Sequence, residues 1–269
     1  MSTYSVPEGY DSSNRLIPAV DSIVSLDRRQ VRDDPLIVSS DRIMTAVPVS
    51  VVVPAMNEEL NLPHVFAAMP RDIAELILVD GHSSDATVDV ARASWPEVRI
   101  IQQSGKGKGN ALSCGFMAAK GDIVVMLDAD GSTDPSEIPR FVAALITGAD
   151  FAKGTRFVTG GGSSDITGTR RLGNRVLSGL VNSLWNTNYS DLCYGYNAFW
   201  RRCLPEILAD CSGFEVETLM NIRLARSNLR VVEVPSFEAN RLHGASNLRA
   251  IRDGMRVLRT IAAERIRPQ

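Results

Sequence analysis

Residues 123–130 read IVVMLDAD, an apolar and largely β-branched run that ends in two aspartates. A continuous apolar run of this length predicts a strand buried on both faces, as in a parallel sheet covered by helices. Because side chains alternate along a strand, Asp128 and Asp130 are expected to point the same way. Two carboxylates aimed at one place repel each other unless a cation or a hydrogen-bond network lies between them. The stretch therefore predicts a central strand with a charged site at its carboxyl end.

The two aspartates favour a site for Mg²⁺ or Mn²⁺, which prefer oxygen ligands. Mg²⁺ is typically held by one or two protein carboxylates together with the phosphates of a substrate. Open α/β sheets bind ligands just beyond the carboxyl ends of their strands. We therefore expect a metal-held diphosphate at Asp128 and Asp130. The plainer alternative is that Asp130 and Gly131 simply form a turn.

Three further apolar runs precede this strand, and helix-like segments lie between the four runs. The other predicted strands are Val49–Val53, Leu76–Val79 and Val98–Ile101. The predicted helices are Asn57–Met69, Asp85–Ser94 and Lys108–Ala119. Strands that alternate with helices predict right-handed βαβ units. The expected fold class is α/β, with a mostly parallel central sheet and helices on both faces.

The second half of the chain breaks this alternation. Its predicted strands are Asp150–Phe157, Tyr196–Trp200 and Val231–Val234, and its predicted helices are Thr169–Trp185, Gly213–Ser227 and Ser246–Arg265. Within the first of these helices, Leu172, Val176, Leu180 and Leu184 recur at helical spacing, and we expect most of them to lie in the core. A parallel half followed by a mixed half indicates a nucleotide-binding sheet completed by an acceptor-binding region.

Composition and charge are those of a globular enzyme, with 44% hydrophobic and 22% charged residues and a net charge of −2. This balance argues against a nucleic-acid partner. The four cysteines form no C-x-x-C pair, so we expect reduced thiols in a cytoplasmic protein. Residues 1–46 are predicted to be a polar extension, and residues 47–269 a single domain. Within that domain we expect a nucleotide-binding half (47–135), an acceptor half (136–245) and a basic C-terminal helix (246–269).

Polar residues follow each early strand and are expected to line one crevice. Asp80 follows the second strand, where a carboxylate can accept a hydrogen bond from a nucleobase N–H or a ribose hydroxyl. Residues 105–110 read GKGKGN and match neither a P-loop nor a G-x-G-x-x-G pattern. A lysine in a glycine-rich segment that opens a helix nevertheless suits a phosphate neighbour, because helix N-termini favour anions.

Several motifs in order resemble family 2 glycosyltransferases of the GT-A fold. They are PAMNEE (54–59), VDGHSSDAT (79–87), GKGKGNAL (105–112), MLDADGSTDP (126–135), KGTRF (153–157), DLCYGYNAF (191–199) and FEVETLM (214–220). The resemblance covers residues 47–248, and the segment VPSFEANRLHGASNL (234–248) looks most like the dolichol- or polyprenyl-phosphate sugar transferases. At Cys193–Tyr196 the chain differs from the Ser-Gly-Phe usual in those enzymes, so a saccharide or small-molecule hydroxyl stays open as the acceptor.

This resemblance implies an inverting transfer from a GDP- or UDP-sugar, with Asp128 and Asp130 as the metal motif. By the same comparison, the residues expected to bind the donor are Pro54, Asn57, Glu58, Asp80, Lys108 and Ser246, with Asp128 near the ribose. Arg241 is expected near the diphosphate, where it would help to stabilise the charge of the leaving group. Two other classes remain open, a sugar-nucleotidyltransferase and a non-catalytic module that binds sugar nucleotides.

The need for a general base depends on the acceptor. A phosphate oxygen is already anionic, whereas a hydroxyl must lose its proton as it attacks. Asp191, Glu215 and Glu217 are the candidate bases, although Glu215 and Glu217 also suit the N-terminus of a predicted helix.

The segment from Arg241 to the end of the sequence carries seven arginines against Asp253 and Glu264. Leu248, Ile251, Met255 and Leu258 form an apolar stripe beside these arginines. Such a basic amphipathic helix can rest on an anionic membrane surface, at the cytoplasmic face, or can pack on its own domain.

Overall fold

The structure is a computed structural model that describes Met44 and residues 47–208, 211–245 and 249–267. Its main element is a seven-stranded sheet with the strand order β3-β2-β1-β4-β7-β5-β8. Strand β7 runs antiparallel to both of its neighbours, and the other pairings are parallel. The predicted α/β class with a mostly parallel sheet is therefore confirmed. The polar extension predicted for residues 1–46 lies outside the described residues, except for Met44, which is buried in the core.

The strands of the main sheet are β1 (Val49–Ala55), β2 (Glu75–Asp80), β3 (Arg99–Gln102), β4 (Ile123–Met126), β5 (Phe151–Thr155), β7 (Asn197–Trp200) and β8 (Val231–Pro235). Strands β6 (Gly162–Ser163) and β9 (Phe237–Glu238) pair separately. The helices are α1 (Leu62–Ala67), α2 (Thr87–Ser94), α3 (Gly107–Ala118), α4 (Ile138–Ile146), α5 (Gly168–Trp185), α6 (Leu204–Ile207), α7 (Val216–Arg226) and α8 (Ala250–Ile266).

Strand β4 lies in the middle of the sheet, between β1 and β7. All four of its residues are buried, as its apolar sequence predicts. Ile123 and Val125 face the core layer that includes α4, whereas Val124 and Met126 face the layer that includes α3 and α7. Apolar layers cover both faces of the strand. Asp128 and Asp130 follow its carboxyl end, beyond these layers.

The first helix is shorter than the sequence predicts. Helix α1 begins at Leu62 instead of Asn57, because Asn57 has a φ of 61° and lies in the left-handed region. Its side chain accepts a hydrogen bond from the Ser84 N–H at 2.8 Å and so ties the loop after β1 to the loop after β2. The polar segment between β1 and α1 is therefore a loop at the mouth of the crevice.

The prediction that the apolar stripe of α5 lies in the core is wrong for most of its members. Leu172, Val176 and Leu180 are exposed, and only Leu184 packs against a core cluster. The residues that α5 buries are Asn174, Leu177, Ser178 and Val181. Two of these four are polar, so the hydrophobic pattern alone selects the wrong face of the helix.

Two leucines on α5 give a direct test of this orientation. Leu177 is 8% exposed, whereas Leu172 is 64% exposed. We expect Leu177→Ala to lower the free energy of unfolding by about 2–4 kcal/mol through lost burial and a residual cavity. Leu172→Ala should change it by less than about 0.5 kcal/mol. Urea unfolding of both variants measures the difference, and equal losses would show that the helix is rotated.

Candidate active site

The carboxyl ends of β1, β2 and β4 open into a cavity of about 710 Å³. Part of its wall comes from the first half of the domain, from Pro54, Met56, Glu58, Gly81, Gln103, Lys108, Asp128 and Asp130. The rest comes from the second half, including Arg156, Asn174, Gly195, Glu217, Arg241, Ile251 and Val257. The two halves of the domain therefore meet at one site.

Lys108 joins two carboxylates in the wall of this cavity. Its Nζ lies 2.6 Å from Asp128 Oδ1 and 2.8 Å from Glu217 Oε1. Burial opposes the charge of Lys108, but the two facing carboxylates outweigh this effect and raise its pKa. Burial, reinforced by the charge of Asp128, raises the pKa of Glu217 above its ordinary value. One cation thus neutralises only part of the negative charge of this group.

Gly195 contributes to the same group because it has no side chain. A β-carbon at this position would lie 2.8 Å from Lys108 Nζ and 2.9 Å from Asp128 Oδ2. Any larger residue would therefore displace the lysine or the carboxylate. A glycine between two tyrosines is the signal that sequence reasoning missed here.

Arg241 pairs with the second aspartate of the motif. Its guanidinium lies 3.2 Å from Asp130 Oδ2 and 2.5 Å from Glu58 Oε1. The other oxygen of Asp130 accepts a hydrogen bond from the Ser132 N–H at 3.0 Å. Since Glu58 follows β1 and Arg241 follows β9, this pairing holds two distant segments against the end of β4.

The segment that carries Arg241 is fastened to the motif by backbone hydrogen bonds. Ala239 N–H donates to the Ser132 carbonyl at 2.8 Å, and Leu242 N–H donates to the Asp130 carbonyl at 3.2 Å. Gly131 has a φ of 77°, and a β-carbon there would lie 2.5 Å from the Leu242 side chain. The Asp-Gly sequence therefore gives the turn that lets this segment close over the motif.

Asp191 is fully enclosed, so its carboxylate is not placed to act as a base in the cavity. It is 0% exposed and does not line the cavity. Arg156 donates to both of its oxygens, at 2.7 and 3.0 Å, and also pairs with Glu238 at 3.0 Å. Burial opposes ionisation of Asp191, but these bonds outweigh it and lower its pKa. The geometry therefore gives Asp191 the role of holding Arg156 in the cavity wall.

Most of the residues that the sequence proposes for the site share this cavity. Those that line it are Pro54, Glu58, Lys108, Asp128, Asp130, Glu217 and Arg241. Asp80 is buried beside the lining residue Gly81 and accepts a hydrogen bond from the Ser83 N–H at 3.2 Å. Asn57 does not line the cavity, and Ser246 lies outside the described residues. Glu215 accepts a hydrogen bond from Gly213 N–H and is likewise not a lining residue.

Gln103 is a lining residue that sequence reasoning missed. It follows β3 and donates from its backbone N–H to the Asp80 carbonyl at 3.0 Å. Its buried Oε1 atom has no hydrogen-bond partner among the described residues. Only the pairing of β2 with β3 places it beside Asp80, so no local sequence signal identifies it.

The chemistry of the two aspartates suits a divalent ion. Within the described part of the chain, no three His, Cys, Asp or Glu side chains form a ready-made metal cluster. Mg²⁺ that shares its coordination with a substrate diphosphate needs only one or two protein carboxylates. Asp128 and Asp130 offer these oxygen ligands and are the residues that would hold Mg²⁺ or Mn²⁺.

Known proteins resemble this chain in sequence and fold. A family model described as Glycosyl transferase family 2 matches residues 50–208. The chain is 30% identical to the dolichol-phosphate mannosyltransferase of Pyrococcus furiosus over 75% of its own length, but it spans only 59% of that relative. It is also 30% identical to the undecaprenyl-phosphate mannosyltransferase of Micrococcus luteus, covering 73% of this chain and 86% of that protein.

A solved structure has the same fold. It is the glucosyl-3-phosphoglycerate synthase from Mycobacterium tuberculosis in complex with Mn²⁺, UDP-glucose and phosphoglyceric acid. The TM-score is 0.69 at 25% identity, and the match covers 88% of this chain and 86% of that chain. The GT-A fold predicted from the motifs is thereby confirmed.

The enclosed position of Asp191 leads to a stability prediction. Asp191→Asn leaves Arg156 buried without its main partner, so the free energy of unfolding should fall by about 3–5 kcal/mol. Asp165→Asn breaks a partly exposed pair with Arg170 (2.7 Å) and should cost at most about 1 kcal/mol. Denaturant unfolding of both variants measures these losses. An Asp191→Asn variant as stable as the wild type would contradict the structural role.

Proposed function

The chain belongs to glycosyl transferase family 2, and we propose that it transfers a sugar from a GDP- or UDP-sugar to a polyprenyl phosphate with inversion. Family membership makes it a glycosyltransferase, as the motifs predict. The mannosyltransferase relatives support the acceptor class. The structural neighbour with Mn²⁺ and UDP-glucose supports a metal-assisted nucleotide donor.

The proposed donor site is the half of the cavity around Asp128 and Asp130. Asp80 and Gln103 lie at the ends of β2 and β3, where a base and ribose would reach polar groups. A divalent ion bound at the two aspartates would stabilise negative charge on the departing diphosphate. Arg241 is close enough to Asp130 to add a second positive charge there, which favours the transition state more than the ground state.

The acceptor proposal rests on where the cavity extends within the domain. The cavity continues from the aspartates into the gap between α5 and α8, where Gly173 and Leu177 face Gly254 and Val257. Ile251 also lines it and is 84% exposed, so the cavity opens at the surface between these helices.

The two helices that border this opening carry exposed apolar and basic side chains. The exposed apolar side chains are Leu172, Val176 and Leu180 on α5 and Ile251, Met255 and Leu258 on α8. The exposed arginines are Arg171 and Arg175 on α5 and Arg252 and Arg259 on α8. Apolar side chains flanked by arginines suit the surface of an anionic membrane. This is the arrangement required to receive a lipid whose phosphate enters the cavity.

Among the described residues, no helix has both the length and the apolar composition required to cross a bilayer. We propose a peripheral membrane contact through the exposed apolar side chains of α5 and α8, at the cytoplasmic face. In this reaction a phosphate oxygen attacks the anomeric carbon while the bond to the diphosphate breaks and the nucleoside diphosphate leaves. No proton has to be removed from the nucleophile.

Glu217 supports a second candidate acceptor, a saccharide hydroxyl. It is the one predicted base that lines the cavity, and its raised pKa is suited to accepting a proton. Under the phosphate proposal its role is to hold Lys108, so Glu217→Gln should affect donor binding. Under the hydroxyl alternative, the same change should lower kcat by roughly 10²–10⁴.

The metal role of the motif is tested by Asp130→Asn. We expect turnover to fall by at least about 10²-fold, because charge stabilisation at the leaving group is lost. The variant should also lose the Mn²⁺-dependent part of the thermal stabilisation by GDP or UDP. Asp122→Asn, at the exposed opposite end of β4, is the matched control and should behave as wild type. Full turnover in Asp130→Asn would refute the metal assignment.

The acceptor class is tested by the fate of a labelled sugar. Wild-type protein is mixed with labelled GDP-mannose or UDP-glucose and anionic vesicles that contain undecaprenyl phosphate. We expect label in the organic phase after extraction. Label found only in water-soluble saccharide added as a competing acceptor would instead establish the hydroxyl alternative.

The proposed membrane surface on α5 and α8 is tested in the same assay with a double variant and a control variant. Leu172→Ser combined with Ile251→Ser should lower transfer to vesicles but not to a short phosphate acceptor in detergent. Met117→Ser changes an equally exposed apolar residue on α3 and should leave both rates unchanged. Equal rates on vesicles for both variants would exclude α5 and α8 as the contact surface.

A further inference from the structure

Asn61 lies at the start of helix α1, but its side chain is not used as a helix cap. An asparagine directly before a helix usually accepts a hydrogen bond from an N–H group of the first turn. Asn61 occupies that position and makes no such bond with its side chain. It is only 2% exposed, and a buried amide is costly unless it is hydrogen bonded. The partners of this amide therefore have to come from elsewhere in the chain.

The amide of Asn61 binds the backbone of His243, which lies 182 residues further along the chain. Its Oδ1 accepts a hydrogen bond from the His243 N–H at 2.9 Å, and its Nδ2 donates to the His243 carbonyl at 3.2 Å. Nδ2 also donates to Glu58 Oε2 at 2.6 Å. A flipped amide would point its NH₂ group at an N–H donor and its oxygen at a carboxylate, so these contacts identify its orientation. The side chain thus makes a two-point contact with the segment that carries Arg241.

Both groups that Asn61 binds are also contacts of Arg241. The Nε of Arg241 donates to the same His243 carbonyl at 2.6 Å, and its Nη2 donates to the other oxygen of Glu58 at 2.5 Å. The guanidinium also contacts Asp130 Oδ2 at 3.2 Å. Asn61 therefore fixes two of the three groups that orient this guanidinium at the end of β4.

Neither the cavity wall nor helix α1 requires an asparagine at this position. Asn61 does not line the cavity. A serine caps a helix about as well as an asparagine does, so α1 alone does not explain the amide. The amide is required only by Glu58 and His243, which one side chain has to bind at the same time. Its effect on the site therefore runs through these two partners.

We propose that Asn61 is a positioning residue, whose amide holds the backbone of His243 and the carboxylate of Glu58 and thereby keeps the Arg241 guanidinium against Asp130. Arg241 stabilises the charge of a departing diphosphate under the proposed function, on which this inference rests. A displaced guanidinium loses much of that effect, because stabilisation of a developing charge depends on groups that are already in place. Asn61 takes no direct part in the chemistry.

The peptide bond between Arg241 and Leu242 reports directly on this contact. Trypsin cuts after arginine, but the Arg241 side chain is held in ion pairs and the Leu242 N–H donates to the Asp130 carbonyl at 3.2 Å. Cleavage therefore requires the segment to detach, and its rate follows the population of detached molecules. In Asn61→Ser, which keeps a helix-capping residue, mass spectrometry should show the peptide that begins at Leu242 on the order of 10-fold sooner. An unchanged rate would overturn the inference, whatever reaction the protein catalyses.

Asn182→Ser is the matched control, because Asn182 binds the backbone of Tyr189 in the same two-point way. Its Oδ1 accepts from the Tyr189 N–H at 2.8 Å, and its Nδ2 donates to the Tyr189 carbonyl at 3.0 Å. Asn182 lies on α5 and does not line the cavity. We expect this variant to lower the Tm, as Asn61→Ser does, without faster cleavage after Arg241. Equal acceleration in both variants would mean that a general loss of stability frees the segment, and would overturn the inference.

A double-mutant cycle separates positioning of Arg241 from general structural support. With labelled donor and farnesyl phosphate in detergent, Asn61→Ser should lower kcat on the order of 10-fold. In an Arg241→Gln protein the same change should lower kcat by less than about 2-fold, because Asn61 acts through Arg241. Any effect of Asn182→Ser should be the same in both backgrounds. An equal loss from Asn61→Ser in both backgrounds would overturn the positioning role. Wild-type protein that transfers sugar to no phosphate acceptor would instead refute the proposed function, and the cleavage rates would still decide whether Asn61 holds the segment.

Discussion

The site depends on charge compensation at the end of β4, where two carboxylates must be held close together. Asp128 is paired with Lys108 and Asp130 with Arg241, at 2.6 and 3.2 Å. Each cation also contacts a second carboxylate, Glu217 or Glu58. Neighbouring carboxylates are tolerated here because each of the two aspartates is paired with a cation. Such a site retains net negative charge and so has room for a further cation that arrives with a diphosphate.

These ion pairs explain why the second half of the chain is needed to complete the charged site. Lys108 opens α3 and belongs to the parallel half, but its other partner, Glu217, comes from α7. Arg241 follows β9 and is fastened to the motif by the Leu242 N–H. The parallel half therefore completes this charged site only when the mixed half packs against it. The same packing places α5 and α8 beside the cavity, where we propose that the acceptor enters.

Much of this arrangement could be predicted from the sequence, because it follows from local patterns. The apolar run before Asp128 predicts a buried strand, and the first two predicted strands are present but longer, since β1 ends at Ala55 instead of Val53 and β2 ends at Asp80 instead of Val79. The exposed stripe of α5 could not be predicted, because the buried face includes the polar residues Asn174 and Ser178, and Asn174 binds the distant N–H groups of Leu192 and Cys193. The enclosure of Asp191 likewise depends on Arg156, which is 35 residues away along the chain. Long-range pairing of polar groups leaves no periodic signal.

The most direct measurement of the central claim is Mn²⁺ binding followed by the loss of the free-ion signal in electron paramagnetic resonance. Because Lys108 and Arg241 already compensate the aspartates, we expect Mn²⁺ alone to bind weakly. With GDP or UDP present it should bind roughly tenfold more tightly or better, since each ligand must strengthen the other by the same factor. Equal Mn²⁺ affinity with and without both nucleotides would contradict a metal-held diphosphate at Asp128 and Asp130.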